Sequence, residues 1–197
     1  MIRVLHADER LVAIDKPAGL LSVPGRSEPD CASARVQALY PDALVVHRLD
    51  QATSGLLLFA RGPQAQRELS ADFAARRIGK RYVAIAAGQL AGEGLIDLPL
   101  AADWPNRPRQ QVDPVRGKPS QTRWRALAAA GRHTRVALEP LTGRSHQLRV
   151  HLAHLGHPLL GDALYAPPDI AAASPRLLLH ASELRVGALH LTCPAEF

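Results

Sequence analysis

Cysteine is nearly absent from this chain. Its two cysteines, Cys31 and Cys193, lie far apart and outside any CxxC pattern, which excludes both a disulfide framework and a zinc ribbon. No apolar run approaches the ~20 residues that a membrane-spanning helix needs. The first residues contain no continuous apolar segment before a small-residue cleavage site. We therefore expect a cytoplasmic protein that has no membrane partner.

Several catalytic signatures are also missing. The sequence contains no GxGxxG, no GxxxxGKS/T and no GxSxG pattern, which weakens nucleotide-cofactor, kinase and α/β-hydrolase hypotheses. His146, His151, His154 and His157 lie close together, but no HExxH glutamate and no nearby cysteine completes a metal site. We interpret them as surface or phosphate-contacting histidines. We expect no metal and no cofactor, so catalysis would depend on side chains and substrate alone.

Aromatic residues and lysines are scarce, whereas arginine is abundant. Aromatics make up 4% of the 197 residues, and Lys16, Lys80 and Lys118 are the only lysines among 24 basic residues. Guanidinium groups suit phosphate recognition better than ammonium groups do. The net charge of +6 favours a polyanionic partner, usually nucleic acid. A GC-rich genome that encodes arginine in place of lysine is the alternative explanation.

The order of apolar patterns predicts an α+β fold in one domain over residues 1–197, which we expect to be a monomer. Strands are indicated at 3–5, 11–14, 44–46, 56–60, 82–87, 121–128, 134–139, 177–179 and 184–191. Helices are indicated at 31–39, 64–77 and 145–155. Consecutive strands with interspersed helices favour a mixed, mostly antiparallel sheet over a doubly wound parallel one.

Two of these helices have residues near one end that are typical of helix termini. Arg76 and Arg77 would close the helix at 64–77, where the helix dipole favours cations. Ser145 or Thr142 would cap the helix at 145–155. An uncovered end of that helix would instead offer its N–H groups to an anion.

Residues 101–119 differ in character from the rest. They are rich in proline, show little periodicity and predict a long loop. Trp104, Arg107, Arg109 and Arg116 could contact a base and the phosphate backbone of a nucleic acid. A hairpin insertion with a solvated basic face is an equally good interpretation.

A compact polar cluster lies between two apolar runs in residues 45–61. The cluster consists of His47, Arg48, Asp50, Thr53 and Ser54, and Gly55 opens the second run. Functional groups are common where core strands meet at a loop, and His47 and Arg48 would be partners for the carboxylate of Asp50. Alternatively, Asp50 forms an ordinary turn, with Thr53 and Ser54 bonded to the local backbone.

Arg149 lies in an otherwise apolar stripe of the helix predicted at 145–155, so we expect part of it to be drawn inward. A buried arginine needs a carboxylate. Asp50 is our candidate for that partner.

These residues stand in motifs that resemble those of the RluA-type pseudouridine synthases, and the resemblance covers nearly the whole chain. Five motifs occur in the family's order, at 16–19 (KPAG), 47–55 (HRLD and TSG), 80–82 (KRY), 142–149 (TGRSHQLR) and 176–181 (RLLLHA). Residues 23–26, 97–100 and 103–108 resemble the subgroup that acts on a 23S rRNA uridine and an anticodon-loop uridine of certain tRNAs. We expect a catalytic domain alone, without the N-terminal S4-like RNA-binding domain that many relatives carry.

The resemblance implies the pseudouridine synthase fold and an enzyme that detaches uracil from its ribose, rotates it and rejoins it through carbon. Asp50 would be the essential carboxylate, and whether it acts on the sugar or on the base stays open. Tyr82 would stack on the flipped uracil, and Arg149 would keep Asp50 ionised. Arg48 would occupy the gap left by the base, and Leu179 would pack beneath the site.

Two other functions remain as alternatives. A glycosidic-bond hydrolase would pair Asp50 with a second carboxylate, for which Glu139 is the one suitable candidate. A non-enzymatic RNA-binding or ribosome-assembly protein would keep the fold without the chemistry. The presence of Asp50, Tyr82 and Arg149 argues against that second alternative.

Overall fold

The computed structural model describes residues 2–197, along which runs of consecutive strands are interrupted by a few helices, as in an α+β fold. The strands are β1 (Arg3–Ala7), β2 (Leu11–Lys16), β3 (Ala43–Val45), β4 (Ser54–Arg61), β5 (Gly79–Ala86), β6 (Glu93–Asp97), β7 (Leu100–Ala102), β8 (Gln110–Val112), β9 (Gln121–Ala130), β10 (His133–Pro140), β11 (Leu179–Val186) and β12 (Leu189–Thr192). The α-helices are α1 (Ala32–Gln37), α2 (Gly62–Ala74), α3 (Gln147–His154) and α4 (Pro168–Ala172). None of the helices within residues 2–197 has the length and apolar character that crossing a membrane demands.

The chain forms two compact units. The first contains residues 2–80 and 180–196, and the second contains residues 81–179 with Phe197. The single domain predicted over residues 1–197 stays a prediction.

The first unit contains a mixed sheet centred on β4. This strand pairs antiparallel with β2 and β3 and parallel with β11, and β1 and β12 extend the sheet by antiparallel pairing. Residues 54–60 are all buried, with Leu56, Leu57 and Leu58 fully so. A continuous apolar run is the pattern of a strand that is covered on both faces. The strand predicted at 56–60 is therefore confirmed as the centre of this unit.

The second unit contains an antiparallel sheet in which β5, β10, β9 and β6 are neighbours. Helix α3 packs on β9 and β10, where the buried Gln147 donates to Gln121 O and Thr122 Oγ1. The predicted mixed, mostly antiparallel α+β architecture is confirmed by the pairings within the two units.

The segment predicted as a long loop is ordered. Strands β7 and β8 form a hairpin with a 3-10 turn at Trp104–Asn106, and Lys118 closes it through two backbone bonds with Leu100. The long-loop prediction for 101–119 was therefore wrong, and the hairpin alternative is confirmed. The single strand predicted at 184–191 is likewise divided into β11 and β12, because Gly187 turns the chain with φ of 59°.

Two helix ends also differ from the prediction. Helix α2 ends at Ala74, and Arg76 follows in a left-handed conformation (φ 59°), so Arg76 and Arg77 lie beyond the last turn. Helix α3 begins at Gln147 after His146, which is also left-handed (φ 55°) and makes no capping bond with its side chain. Thr142 bonds to Gln147 Oε1 instead. The alternative in which Ser145 or Thr142 caps this helix was therefore wrong.

Gly55 occupies the position where β4 runs beside β11. Its φ is +106°, and a Cβ at this position would lie 2.7 Å from Ala181 N and 2.9 Å from Ala181 C. Both atoms belong to the backbone of the neighbouring strand, so they cannot move aside as a flexible side chain could. A residue without a side chain is therefore required here by space as well as by conformation.

We predict that Gly55→Ala lowers the free energy of unfolding by about 3 kcal/mol or more, because the methyl group forces β4 and β11 apart. Gly62→Ala is the matched control, since Gly62 also has positive φ (+78°) but no atom within 4 Å of the added Cβ. The control should lose only about 1–2 kcal/mol, the conformational cost. Urea unfolding followed by circular dichroism measures both, and equal losses would contradict the steric argument.

Candidate active site

The loop that carries Asp50 is fixed to the rest of the first unit at alternate residues. It spans residues 46–53 between β3 and β4. His47, Leu49 and Gln51 are each held by contacts outside the loop, whereas Arg48 between them is exposed and Asp50 is half-buried. The anchored residues therefore present the intervening side chains in a defined arrangement.

His47 is the first anchor. Its Nε2 accepts a hydrogen bond of 2.9 Å from Leu58 N, and its ring stacks on Phe73 with the centroids 4.4 Å apart. Burial, and next the nearby charge of Lys80, lower the pKa of His47 from 6.5 to about 3. The imidazole is therefore neutral near pH 7, and its role is to anchor the loop rather than to pair with Asp50 as a cation.

Leu49 and Gln51 are the anchors on either side of Asp50. Leu49 N donates to Ser22 Oγ at 3.0 Å, and Ser22 Oγ donates back to Leu49 O at 2.7 Å. Gly19 N donates to Gln51 O at 2.8 Å, and Gln51 Nε2 donates to Gly19 O at 3.0 Å. Both neighbours of Asp50 are thus tied to residues 19–22, which begin with the glycine that ends the KPAG motif.

Lys16 makes the third connection to this loop. Its side chain is fully buried, and Nζ donates to Pro17 O at 2.9 Å, Leu20 O at 2.8 Å and Gln51 O at 3.1 Å. Burial lowers the pKa of Lys16 from 10.5 to about 8, and the charges of Asp50 and Asp15 oppose that shift. Sequence reasoning missed this residue, although it lies in one of the quoted motifs.

The turn after Asp50 is closed through the backbone. Thr53 N donates to Asp50 O at 3.1 Å. Ser54 Oγ is bonded to His180 Nδ1 of β11 at 2.9 Å. The Asx-turn interpretation of Asp50 stays an alternative.

Asp15, His180 and Cys193 bring three potential metal ligands within 4.8 Å of one another. However, both ring nitrogens of His180 are engaged, Nδ1 with Ser54 Oγ and Nε2 with Cys193 O at 2.9 Å. Burial, reinforced by Asp15, raises the pKa of the Cys193 thiol to about 12, whereas a metal requires the thiolate. The chemistry of this donor set fits a hydrogen-bonded core cluster better than a metal site.

Arg149 is buried in the second unit and has a carboxylate partner there. Its Nε donates to Asp162 Oδ2 at 2.8 Å and its Nη2 to Asp162 Oδ1 at 2.6 Å, a bidentate pair in which both side chains are almost inaccessible. Leu164 N and Tyr165 N also donate to Asp162 Oδ1. The predicted burial of Arg149 is confirmed. Asp162 is a partner that the sequence argument did not consider, and pairing of Arg149 with Asp50 stays a prediction.

Tyr165 connects this pair to the hairpin. Its hydroxyl accepts from Gln110 N at 2.8 Å and lies 2.6 Å from His146 Nδ1, and the Arg149 guanidinium lies 5.0 Å from its ring centre. The network therefore joins β8, the start of α3 and the buried ion pair. Sequence reasoning missed Tyr165. Its rarity, as one of three tyrosines, was the signal available.

The exposed end of the hairpin carries a stacked pair. Trp104 is 67% exposed, and the Arg107 guanidinium lies 4.7 Å from its ring centre. The Arg109 guanidinium lies 5.6 Å from the ring of Tyr165. The hairpin thus presents cations that are already positioned against aromatic faces.

The remaining predicted residues are distributed between the units. Arg48 and Asp50 share one loop of the first unit, whereas Tyr82, Arg149 and Leu179 lie on β5, α3 and β11 within the second. Tyr82 is half-buried opposite Leu138, and Leu179 is buried. Their convergence on one cleft stays a prediction.

Two other candidates have different surroundings from those expected. His151 is fully buried, and its ring nitrogens contact Thr122 Oγ1 at 2.9 Å and Leu98 O at 3.0 Å, so the surface or phosphate-contacting role was wrong for it. Glu139 is exposed on β10, opposite Arg123 of β9.

Comparison with known proteins gives a consistent result. Residues 10–154 match the family described as RNA pseudouridylate synthase. The chain is 48% identical to the dual-specificity RNA pseudouridine synthase RluA of Escherichia coli K12, covering 98% of this chain and 93% of the relative. It is 50% identical to the RluA protein of Pasteurella multocida, covering 92% and 84%. Among solved structures, human RNA pseudouridylate synthase domain containing 1 matches with a TM-score of 0.86 at 25% identity, covering 100% of this chain and 84% of that one.

The Arg149–Asp162 pair makes a testable contribution to stability. We predict that Asp162→Asn lowers the free energy of unfolding by about 3–5 kcal/mol, because a buried guanidinium loses its counter-charge. Asp169→Asn removes the same charge at an exposed position of α4 and should change stability by less than about 0.5 kcal/mol. Urea midpoints that coincide for the two variants would contradict the prediction.

Proposed function

This chain belongs to the RNA pseudouridylate synthase family, and on that premise we propose Asp50 as the carboxylate that its reaction requires. The family predicted from the motifs is confirmed. The α+β fold and the assignment as an enzyme, an isomerase of uridine in RNA, are confirmed with it. The hydrolase and the non-enzymatic binding protein are no longer needed as explanations of Asp50.

The observation that carries the proposal is the anchoring of the Asp50 loop. Leu49 and Gln51 are fixed by hydrogen bonds to Ser22, Gly19 and Lys16, and His47 is fixed by Leu58 and Phe73. A catalytic group has to be held close to its productive geometry by its supporting residues. A solvated turn aspartate has no need of such support on both sides.

Isomerisation breaks the bond between N1 of uracil and C1′ of ribose and forms a bond from C5 to C1′. The C5 proton leaves, and N1 of the product carries a proton in its place. The target base has to be turned out of its stack first, at a cost of a few kcal/mol. Asp50, as the charged oxygen of the site, supplies the nucleophile or base that this exchange needs.

The other predicted residues complete the proposed site. Tyr82 stacks on the everted uracil, since unstacked RNA bases are recognised on aromatic faces. Arg48 fills the gap that the base leaves, and Leu179 supports the floor of the site. Arg149 keeps Asp50 ionised. The guanidinium of Arg149 donates two hydrogen bonds to Asp162, and this bidentate ion pair fixes its orientation.

We propose structured RNA as the substrate, with uridines in 23S rRNA and in a tRNA anticodon stem-loop as the targets. The subgroup motifs support this choice, and so do the RluA relatives, whose names describe dual-specificity RNA pseudouridine synthases. The net charge of +6 suits a polyanion. The enzyme would act as a cytoplasmic monomer without metal or cofactor.

We further propose that the hairpin β7–β8 contacts the RNA beside the target. Trp104 and Arg107 offer an exposed aromatic face with a cation placed on it, which is how single-stranded bases are bound without pairing. Tyr165 and His146 connect the base of the hairpin to α3, so the surface is held in place before RNA arrives.

An RNA tritiated at uridine C5 tests the role of Asp50. We predict that Asp50→Asn abolishes tritium release while RNA affinity stays within about threefold, because only the reacting oxygen is lost. Asp169→Asn is the control with the same charge change and should release tritium at the wild-type rate. Turnover by Asp50→Asn would refute the assignment, and free uracil from the wild-type enzyme would revive the hydrolase.

Salt dependence separates the two hairpin contacts. We predict that Trp104→Ala and Arg107→Ala each weaken RNA binding about tenfold, in the range measured for stacking and phosphate contacts. Arg107→Ala should also reduce the slope of log affinity against log salt by about 0.7–0.9, since one counterion-releasing contact is lost. Trp104→Ala should leave that slope unchanged.

Val115→Ala is the control for the hairpin, because Val115 lies in the turn directly after β8 and is 91% exposed. Its affinity should equal that of the wild type. Unchanged affinity in both Trp104→Ala and Arg107→Ala would remove the hairpin from the RNA interface.

A further inference from the structure

Lys16 is a buried charge for which the proposed reaction has no direct use. It is one of three lysines in the chain, and its side chain is fully inaccessible to solvent. A buried ammonium is costly unless it is paired and hydrogen-bonded. Its location in the first unit, beside the loop of Asp50, therefore needs an explanation.

The surroundings of the ammonium match its donors in number. Nζ lies 2.9 Å from Pro17 O, 2.8 Å from Leu20 O and 3.1 Å from Gln51 O. A protonated lysine has three N–H donors and no acceptor, so each donor has one carbonyl. A neutral amine has two donors and a lone pair, and one of the three carbonyls would then face that lone pair.

The third carbonyl connects Lys16 to the proposed catalytic residue. Gln51 follows Asp50 directly, and Gln51 O also accepts the bond from Gly19 N at 2.8 Å. The peptide group between Gln51 and Ala52, one residue beyond Asp50, is therefore anchored by the ammonium and by the backbone of the KPAG motif. On the other side, Leu49 N is bonded to Ser22 Oγ. With both neighbours held, the backbone of Asp50 has little freedom to shift, and this restricts the direction of its side chain.

The charges around Lys16 bear on when it holds a proton. Asp50 acts on it from the loop and Asp15 acts from its own strand. Asp15 also interacts with Arg3, whose Nη1 lies 3.8 Å from Asp15 Oδ2. It is hydrogen-bonded to the thiol of Cys193, whose pKa is raised to about 12. His180, from β11, uses both ring nitrogens in hydrogen bonds. Lys16, with a pKa lowered by burial to about 8, is thus the group of this cluster that changes charge in mildly alkaline solution.

We propose that Lys16 is a positioning residue for Asp50, whose protonated ammonium holds the Gln51 carbonyl and so orients the carboxylate, and whose deprotonation releases it. The proposal rests on the proposed catalytic role of Asp50. In this role Lys16 does not contact RNA. The effect is therefore on turnover rather than on binding.

The first test compares the pH dependence of turnover in the wild-type enzyme and in Lys16→Met. At pH 7 the variant should have kcat lowered at least tenfold and KM for RNA within about threefold of the wild type. The wild-type kcat should fall above a midpoint near pH 8, and this limb should be missing in the variant. A loss of activity at alkaline pH that is caused by the RNA would appear with both enzymes and would therefore cancel in the comparison.

Arg132→Met is the matched control, since it removes one positive charge from an exposed position in the β9–β10 turn. It should keep the wild-type kcat and the wild-type pH limb. If Lys16→Met keeps the wild-type kcat and pH profile while Asp50→Asn is inactive, the positioning role of Lys16 is overturned and the catalytic role of Asp50 is not. An active Asp50→Asn would instead overturn the catalytic assignment, so the two failures are distinguishable.

A second measurement needs no variant that might misfold. Labelling lysine with ¹³C gives three side-chain signals, one for each lysine, and the carbonyl signal of Gln51 can be followed in the same titration. We expect the Lys16 signal to titrate near pH 8 and the Gln51 carbonyl to shift with the same midpoint. Titration of Lys16 at its ordinary pH near 10.5, or a Gln51 carbonyl that does not shift, would overturn the proposal.

Discussion

The attachment of one loop to one buried segment is the constraint on which the candidate site depends. The loop between β3 and β4 is short and polar, and it would be free to move if its backbone groups faced only water. Instead, the carbonyls and amides beside Asp50 are satisfied by Ser22, Gly19 and Lys16. Hydrogen bonds in such a buried setting are costly to leave unmade, so the loop has few alternative arrangements.

The parts of the fold that could be predicted are those set by local pattern. The apolar run of β4 is long enough, and flanked by sufficient turn signals, to identify a strand that is buried on both faces. The ends of α2 and α3 could not be predicted, because they depend on Arg76 and His146, which adopt left-handed conformations unusual for residues other than glycine. Prolines in residues 101–119 suggested a loop, although the hairpin there is held by pairing that no local pattern records.

The candidate site was predictable to a similar degree. The motifs identified Asp50 and its family because their residue types and order are distinctive. They did not identify Asp162 as the partner of Arg149, since a carboxylate after α3 in an irregular segment looks like any surface acid. Lys16 was missed for the opposite reason. Lysine is almost never fully buried, so sequence alone gives no ground for placing an ammonium among backbone carbonyls.

The composition of the first unit has a consequence for biosynthesis. Its central strand β4 pairs with β11, through His180 beside Ser54 and Ala181 beside Gly55, so a late segment completes a sheet begun by the earliest residues. During translation the polypeptide up to Lys80 leaves the ribosome well before its neighbouring strand is synthesised. This unit therefore cannot fold in the usual vectorial manner, with N-terminal parts first. The sheet that surrounds β4, next to the loop of Asp50, is therefore complete only after β11 has been synthesised.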